Sequence, residues 1–390
     1  MSLVDRVTGG FTSHSQSRDS SKGMKNKRIY YGLLAVVVLI GFLIISCTPQ
    51  PVNKQVNKNA DLPSPTALAN PPSTSVPAVK DVSCERPYQD SSIWNIPIDW
   101  SIAKIHPMND LMMRAFFKNS DWIGTDTSQY TPNVYLVSNN TSLVPVQLQE
   151  YRFRDAISDK EISYGEPAGI VQMPLPLGAR PAVGTDGQLV VINTDTGEEW
   201  GLNNGYIDFS GKWYAGGVYR YSIHNSGIPP EGFAQRGAGI GQLAGIVRRC
   251  EVDRGYIDHA VTLAYDYPCA PEVCAQNGWP ASIPPFRKTD GKGQSQFDIP
   301  EGSRVAIRPE ISREDIVKAC AGRKGCLVWA LNMQEYGGFI VDDSGHPKTY
   351  AEGDPTANWD RSVWTKDMLK NIPSDWYVVI DWNYPSTRAH

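Results

Sequence analysis

The chain has 390 residues, of which 41% are hydrophobic and 20% charged, so it can bury a large hydrophobic core. Its 34 glycines, 29 prolines, 11 tryptophans, 18 tyrosines and 10 phenylalanines favour a turn-rich, mainly β protein over a helical one. A formal net charge of -4 excludes a broad basic surface, so nucleic acid is not expected as a partner.

The N-terminal part has the pattern of a secretion signal. Positive charges at Lys25–Arg28 precede an apolar run from Ile29 to Ile45. The run ends in Ile-Ile-Ser-Cys, which resembles the lipobox of bacterial lipoprotein signal peptides and implies lipidation of Cys47. It is also close to the roughly 20 residues that an uncleaved membrane anchor needs. Both interpretations predict a protein of the cell envelope, anchored to a membrane by lipid or helix, with the rest of the chain on the extracytoplasmic face.

Composition divides the chain into four predicted segments. Residues 1–23 precede a second methionine and are expected to be an unstructured extension or a mis-assigned start. Residues 24–47 form the lipoprotein signal peptide or membrane anchor. Residues 48–82, rich in Pro, Ser and Thr, predict a disordered linker because they cannot bury enough apolar surface to offset the loss of chain entropy. Residues 83–390 contain no second linker and predict one extracytoplasmic β-rich domain.

The cysteines agree with an oxidising compartment. Setting Cys47 aside leaves an even set of six disulfide candidates: Cys84, Cys250, Cys269, Cys274, Cys320 and Cys326. Six cysteines allow fifteen connectivities. The short spacings of Cys269 with Cys274 and of Cys320 with Cys326 suggest local pairs, which leaves Cys84 to join Cys250. Zinc binding by the last four cysteines is the alternative, although neither spacing is the short knuckle typical of such sites.

The first half of the domain predicts one helix and several strands. Apolar residues at helical spacing indicate a helix over 109–118. Turn-type residues separate strands at 134–137 and 144–148, and again at 188–193 and 198–202, so two hairpins are expected. A further single strand is expected over 213–223.

The second half predicts an interior strand and a helix. Residues 255–265 alternate cleanly, and both faces are largely uncharged, which indicates a strand inside a sheet. A helix should run from Ser312 to Tyr336 with an interruption around Gly322 to Gly325, followed by a strand from Phe339. Together these elements predict a large β-sandwich of jelly-roll or concanavalin-like type with one or two packed helices.

The glycine-rich stretch that begins at Gly237 precedes the interior strand. Its Gly-x-Gly-x-Gly pattern lacks the Gly-Lys-Ser/Thr of a nucleotide-binding loop. Close backbone packing or a tight turn is therefore the better interpretation of these glycines.

A set of short motifs resembles a family of secreted bacterial proteins and lipoproteins that is common in soil bacteria. The matching residues are Ser92–Ile98, Pro174–Gly187, Glu199–Trp200, Gly255–Val261, Pro280–Ala281, Asp290–Gly291, Glu335–Gly337 and Asp342. The resemblance covers nearly all of 84–343 and implies a single extracellular domain without assigning it a reaction. Its fold-level analogy is with β-sandwich proteins of polysaccharide metabolism.

His259 is the first catalytic candidate, because histidine can act as general acid or base near neutral pH and it lies mid-strand in the interior strand. Tyr336 and Asp342 follow the predicted helix and could line the same cleft, where a tyrosine and histidine would suit a polysaccharide lyase. The structural alternatives are a core histidine bonded to a backbone carbonyl and helix-end packing of the tyrosine.

Glu199 is the remaining catalytic candidate. It lies in a hairpin beside Trp200, and a carboxylate next to an aromatic platform is typical of sugar sites. The aromatic side chains expected to bind substrate are Trp200, Trp213 and Tyr256. A solvated hairpin edge is the structural alternative for this carboxylate group.

These candidates predict a protein that acts on polysaccharide, either as a lyase or as a glycoside hydrolase. The alternative is a non-catalytic glycan-binding, cell-wall-binding or structural envelope protein. No metal site and no cofactor are expected to be required, although the turns at Asp186–Gly187 and Asp342–His346 offer oxygen ligands of the kind that calcium prefers.

Overall fold

The computed structural model describes residues 84–150, 152–162, 169–233 and 235–386. The interpretations made above for 1–23, 24–47 and 48–82 lie outside the described residues. Within the described ranges, none of the helices has both the length and the apolar character needed to cross a membrane. All described residues fall in one compact unit.

Six α-helices and a short 3-10 helix, Ser374–Trp376, are described, which is more than the one or two helices expected. The α-helices are α1 (Asn109–Phe116), α2 (Arg249–Arg254), α3 (Pro271–Gln276), α4 (Arg313–Ala319), α5 (Lys324–Glu335) and α6 (Asp354–Ala357). The strands of the N-terminal half are β1 (Asn133–Val137), β2 (Leu143–Leu148), β3 (Phe153–Asp155), β4 (Lys160–Ile162), β5 (Ile170–Pro174), β6 (Leu189–Asn193), β7 (Glu198–Asn203), β8 (Tyr206–Ile207), β9 (Trp213–Ala215) and β10 (Gly217–Ser222). Those of the C-terminal half are β11 (Val261–Tyr265), β12 (Arg304–Ile307), β13 (Gly338–Asp343), β14 (Lys348–Thr349) and β15 (Tyr377–Val379).

The strands form three mixed sheets, so the fold is mainly β as the composition predicted. The six-stranded sheet has the order β1-β6-β7-β10-β3-β4, and the four-stranded sheet has the order β5-β2-β9-β8. The five-stranded sheet has the order β14-β11-β13-β12-β15. Each sheet contains one or more parallel pairs, such as β1 with β6, β2 with β9 and β11 with β13. Parallel neighbours require crossover connections, which explains why the chain passes repeatedly between sheets.

Two hydrophobic clusters account for most of the core. One joins side chains of the six-stranded and four-stranded sheets, including Leu189, Leu202, Val146 and Met173. The other joins the five-stranded sheet to α1, α4 and α5, and Trp329 of α5 is fully buried in it. Burial of this apolar area is the main stabilising term of the fold.

Several elements that local sequence signals predicted are confirmed. The hairpin of β6 and β7 is confirmed, with Gly197 at positive φ in its turn. The helix over 109–118 is confirmed as α1, and the interrupted helix is confirmed as α4 and α5. The Ser312 hydroxyl accepts a hydrogen bond from the Asp315 amide at 3.1 Å and caps α4.

Partner choice between strands was predicted less well. The expected hairpin of 134–137 with 144–148 is wrong, because β1 pairs with β6 and β2 pairs with β5 and β9 in another sheet. The single strand expected over 213–223 is divided into β9 and β10, which also belong to different sheets. Adjacent runs of strand-forming residues do not specify their own partners, since pairing depends on burial by distant segments.

The expected strand over 255–265 is correct only from Val261 onward. Residues 249–254 form helix α2, which ends at Gly255 with φ 96°, a left-handed conformation that favours glycine. The remaining strand, β11, lies between β14 and β13, so its interior position is confirmed.

All three disulfides suggested by the cysteine spacing are present. They join Cys84 to Cys250, Cys269 to Cys274 and Cys320 to Cys326. The first closes a long loop, with a sequence separation of 166 residues, and it connects the start of the described chain to α2.

Candidate functional site

A polar cavity of about 750 Å³ lies beside the carboxyl end of β13, and we call it the polar cleft. Loops that follow several strands meet there with the glycine-rich segment. Its acidic lining residues are Asp126, Asp186, Asp290, Asp342 and Asp343. Its amide side chains are Gln129, Gln188, Asn203, Asn204 and Gln242. The cations Arg236, Lys288, Lys348 and Lys366 complete the charged lining.

Asp342 is the predicted catalytic residue that lines the polar cleft. The Gly237 amide donates to its Oδ1 at 2.9 Å, and the Tyr350 hydroxyl donates to its Oδ2 at 3.0 Å. The Arg236 guanidinium donates to the same Oδ2 at 3.4 Å. Three donors from two separate segments therefore hold this carboxylate in one orientation.

Arg236 is a residue that the sequence analysis missed. Its side chain is fully buried, and its guanidinium lies 4.1 Å from the centre of the Tyr350 ring. It also donates to the Gln242 carbonyl oxygen at 3.2 Å, and its backbone has φ 42°. Positive φ at a non-glycine residue is uncommon and is concentrated at functional sites. Arg236 directly precedes the glycine-rich stretch, and no sequence motif distinguishes it.

Lys348 and Tyr350 lie beside Asp342 and Arg236, in the segment that follows β13. The Lys348 ammonium donates to the Tyr130 carbonyl oxygen at 3.2 Å and lies 4.3 Å from the centre of the Tyr350 ring. Burial, opposed by Asp342 and reinforced by Arg236, lowers the pKa of Lys348 to about 8. Tyr130 is 36% exposed, which leaves an aromatic ring accessible at the cleft.

Asp290 lines the cleft, and Glu301 lies next to Gly237 together with it. Asp290 is exposed to the cleft, whereas Glu301 is fully buried. Removal from bulk solvent and the charge of Asp342 raise the pKa of Asp290. Burial, followed by the charges of Asp290 and Asp342, raises the pKa of Glu301 well above its ordinary value.

Two amide oxygens of the cleft have no hydrogen-bond partner within the described protein. They are Oε1 of Gln188 and Oε1 of Gln242, and both side chains are buried, with exposures of 4% and 1%. Buried polar atoms are almost always paired, so such atoms need an explanation. Both residues line the cleft, but these two oxygens are themselves shielded from it.

His259 does not line the polar cleft. It is 2% exposed, its Nε2 lies 3.0 Å from Oε1 of Glu251, and its Nδ1 bonds the Ala260 carbonyl oxygen at 2.9 Å. Burial opposes its charge, but the Glu251 carboxylate and the two hydrogen bonds raise the pKa of His259. Burial likewise opposes the charge of Glu251, yet His259 lowers the pKa of that carboxyl group. His259 and Glu251 of α2 therefore form an ion pair that is sealed from solvent.

Glu199 is also fully buried. The hydroxyls of Tyr88 and Tyr219 both donate to its carboxylate, the former at 2.9 Å, and the Leu243 amide lies 3.4 Å from it. Burial raises the pKa of Glu199, although the tyrosine hydrogen bonds oppose the shift. This carboxylate therefore connects strand β7 to the backbone that carries the glycine-rich wall of the cleft.

The other predicted side chains occupy different environments. Tyr336 is 8% exposed and packs in a core cluster, and its carbonyl accepts from Arg304 at 2.8 Å. Trp200 and Trp213 belong to the core shared by the six-stranded and four-stranded sheets. Tyr256 is 55% exposed beneath Arg254. Of the four catalytic candidates, only Asp342 lines the polar cleft, so they are not assembled around one cavity.

The glycine-rich stretch packs closely, as its sequence suggested. A Cβ at Gly237 would lie less than 3.0 Å from oxygens of Glu301 and Asp290, and one at Gly241 would be equally close to Glu199. Metal ligation has no support in the described ranges, where no group of three or more His, Cys, Asp or Glu side chains could hold an ion. The expectation that no cofactor is needed stays a prediction.

Three acidic residues from the motifs that suggested a secreted family meet in the polar cleft, namely Asp186, Asp290 and Asp342. They come from segments far apart in the chain, and only the fold brings them together. The chain matches no protein-family model, no curated protein and no solved structure.

Proposed function

We propose that this protein is an extracytoplasmic enzyme acting on polysaccharide, with the polar cleft as its active site. One observation carries the proposal. The cleft holds a carboxyl group, Asp290, whose pKa is raised, and an amine, Lys348, whose pKa is lowered to about 8. Groups whose pKa values are moved toward neutrality can exchange protons at physiological pH, and such shifts concentrate at catalytic sites.

The lining of the cleft supports a hydroxyl-rich substrate. Sugar hydroxyls both donate and accept hydrogen bonds, and the cleft offers carboxylate and amide acceptors beside ammonium and guanidinium donors. Tyr130 supplies an accessible aromatic ring against which the apolar face of a sugar can pack.

Glycoside hydrolysis is the reaction that we favour, since it needs a base near the attacking water and an acid near the leaving oxygen. Asp290 supplies the base and Lys348 the acid. A lyase is the second candidate, favoured by the cations Lys288, Lys348 and Lys366, which suit the carboxylate of a uronic acid unit. The sequence-based role of His259 as acid or base is not part of this proposal, because that side chain is sealed in the core.

The location proposed is the cell envelope, with the protein anchored to a membrane through lipid on Cys47 or through the apolar segment before it. The three disulfides support this location because such bonds persist in oxidising compartments. Mass spectrometry of the mature N-terminus tests it: a lipidated Cys47 is expected for the lipoprotein, and an intact Met1 or Met24 peptide would contradict it. We also propose that the six-stranded and four-stranded sheets pack as a β-sandwich, which their shared core supports.

A non-catalytic glycan-binding role is favoured by a different feature. The rings of Tyr206 and Tyr214 stack on neighbouring strands at 4.8 Å with an angle of 7° between their planes. Tyr206 is 47% exposed, so the pair presents a flat aromatic surface to solvent. Such a surface could hold a glycan without any chemistry in the cleft.

The decisive experiment incubates the purified full chain with a panel of neutral and uronic-acid polysaccharides. New reducing ends without ultraviolet absorbance indicate a hydrolase, and absorbance from unsaturated products indicates a lyase. Binding without turnover favours the non-catalytic role and would contradict the enzyme proposal.

Variants then locate the activity. Asp290→Asn should lower turnover on the order of 100-fold or more, the effect expected for loss of an acid–base group. Asp375→Asn is the matched control, because Asp375 is exposed and lies outside the cleft lining. Equal activity of the two variants would show that Asp290 takes no part in the reaction and would contradict the polar cleft as the active site.

A further inference from the structure

Two carboxyl oxygens meet beside Gly237 without a donor between them. The α-carbon of Gly237 is so close to both that an added Cβ would lie less than 3.0 Å from Oε1 of Glu301 and from Oδ1 of Asp290. Oε1 of Glu301 has no hydrogen-bond partner, and its side chain is fully buried. The other oxygen, Oε2, accepts from the Asp290 amide at 3.3 Å, so the glutamate is oriented with its free oxygen toward the aspartate.

Two adjacent carboxylates cannot both stay ionised in this environment. Burying one unpaired carboxylate is strongly unfavourable, and a second negative charge beside it adds repulsion. A single proton between the two oxygens removes both penalties and gives the unpartnered oxygen a hydrogen bond. Like-charged carboxyl groups that share a site lose their protons in two separate steps.

We propose that Asp290 and Glu301 are an acid pair that shares one proton, with Glu301 as its buried, protonated member and Asp290 as the member that meets substrate in the polar cleft. The role of Asp290 toward a substrate rests on the proposed function, whereas the shared proton does not. Glu301 is a positioning residue, and Asp290 is the catalytic base.

The charged groups around the pair agree with this assignment. Asp342 and Asp343 face it from β13 and disfavour further negative charge, whereas Lys288 from its own loop favours ionisation of Asp290. Once the shared proton is in place, the hydrogen bond that Glu301 donates opposes the rise in the pKa of Asp290 and adds to the rise in the pKa of Glu301. The Gly237 amide also donates to Asp342. Gly237 therefore lies against the carboxyl groups of Asp290, Glu301 and Asp342.

In hydrolysis, the Asp290 carboxylate takes one proton from a water molecule as the water oxygen bonds to the anomeric carbon. The glycosidic carbon–oxygen bond breaks, and its electron pair stays on the leaving oxygen, which takes a proton from the Lys348 ammonium. Transfer of the proton on Asp290 to solvent and uptake of one by Lys348 restore the site. The proton on Glu301 does not leave during the cycle.

The shared proton can be measured without any substrate. Carbon-13 NMR of the full chain, labelled at the side-chain carboxyl groups of Asp and Glu, gives the titration of each group when wild type is compared with D290N and E301Q. We expect Glu301 to titrate well above ordinary carboxyl groups, and its midpoint to fall in D290N. Titration of Glu301 in the ordinary carboxyl range, or a midpoint unchanged in D290N, would overturn the shared proton.

Activity separates the two members of the pair. The amide of E301Q can donate to Asp290 as a protonated carboxyl does, so E301Q should keep turnover within about threefold, while D290N loses on the order of 100-fold. A folded E301Q protein with turnover as low as that of D290N would overturn the assignment of Glu301 as the permanently protonated member. If no glycan is turned over but the NMR titration is as expected, the proposed function fails and the acid pair stands. If glycan is turned over but Glu301 titrates in the ordinary carboxyl range, the acid pair fails and the proposed function stands.

Discussion

The polar cleft and the His259–Glu251 pair both hold opposite charges away from bulk water, but they differ in whether their polar atoms are satisfied. His259 uses both ring nitrogens, and Oε2 of Glu251 accepts from the Arg248 amide at 2.7 Å. Among the residues that line the cleft, by contrast, buried oxygens of Gln188 and Gln242 have no partner within the described protein. A fully satisfied set stabilises one conformation, which fits a structural role for the first region. The proposed chemistry belongs to the cleft, where the polar atoms are not all satisfied.

The largest expected effect is on the region around α2, where the long disulfide joins Cys84 to Cys250. Replacing both cysteines by serine should lower the free energy of unfolding by roughly 5 kcal/mol, from the loop-closure entropy of a long loop. Replacing Cys320 and Cys326, which are separated by 6 residues, should lower it by roughly 2 kcal/mol. Urea unfolding without reductant measures both, and equal losses would show that loop length does not govern the contribution of these bonds.

The sealed pair is tested next by His259→Gln. Removing the cation leaves Glu251 buried without its main partner, so we expect a loss of about 3 kcal/mol in the free energy of unfolding with unchanged turnover per folded molecule. His224→Gln, at an exposed histidine, is the matched control and should be nearly neutral. A folded His259→Gln protein without activity would show that His259 takes part in the reaction.

The same pair predicts a pH dependence. Because the folded-state pKa of His259 is raised, its contribution is complete below about pH 6.5 and is lost as pH rises through the folded value. Because the folded-state pKa of Glu251 is lowered, its contribution is present above about pH 4.5 and is lost as pH falls through the folded value. The stability difference between wild type and His259→Gln should therefore be greatest between these limits. A difference that does not vary with pH would contradict the ion pair.

Gly237→Ala perturbs the cleft without removing any functional group. The new methyl group would collide with Glu301 and Asp290, and we expect roughly 100-fold lower turnover because displaced catalytic groups lose their alignment. Gly345→Ala is the control, since a Cβ there meets nothing within 4 Å although Gly345 also lines the cleft. Similar kinetics for the two variants would show that the spacing at Gly237 is unimportant.

The smallest expected effect concerns binding alone. Tyr130→Ala removes the accessible ring of the cleft, and we expect a roughly fivefold higher KM with little change in kcat, which corresponds to about 1 kcal/mol. Tyr384→Ala, at a tyrosine that is 53% exposed outside the cleft lining, should leave both constants unchanged. A large fall in kcat for Tyr130→Ala would indicate a role in the chemistry instead.

Features encoded within a few residues could be predicted from the sequence. The α1 and α4 helices, the hairpin of β6 and β7 and the three disulfides follow from periodicity, capping, turn residues and cysteine spacing. Strand partners could not be predicted, as β1 and β2 show, because pairing is decided by burial between distant segments. Alternation over 255–260 is typical of a strand, but this segment begins with the C-cap of α2 at Gly255 and forms no helix or strand before β11.

The site was predicted only in part for the same reason. Asp342 lines the polar cleft, as a predicted catalytic residue should, whereas His259 and Glu199 are buried, and the sequence alone does not reveal burial. Asp290 was noted only within a motif, and Arg236, Glu301 and Lys348 carried no local signal. The positive φ of Arg236 and the meeting of three distant carboxyl groups exist only in the folded chain.

The bond between Cys84 and Cys250 has a mechanical consequence. Strands β1 to β10 all lie between these two cysteines in the chain, so they belong to a covalently closed loop. A pulling force applied between the two ends of the chain passes through the sulfur–sulfur bond and bypasses that loop. Under tension the chain of the six-stranded and four-stranded sheets therefore cannot be extended. The five-stranded sheet still bears the applied force. A single-molecule stretching trace should lengthen by the residues outside all three disulfide loops and gain the rest only after reduction.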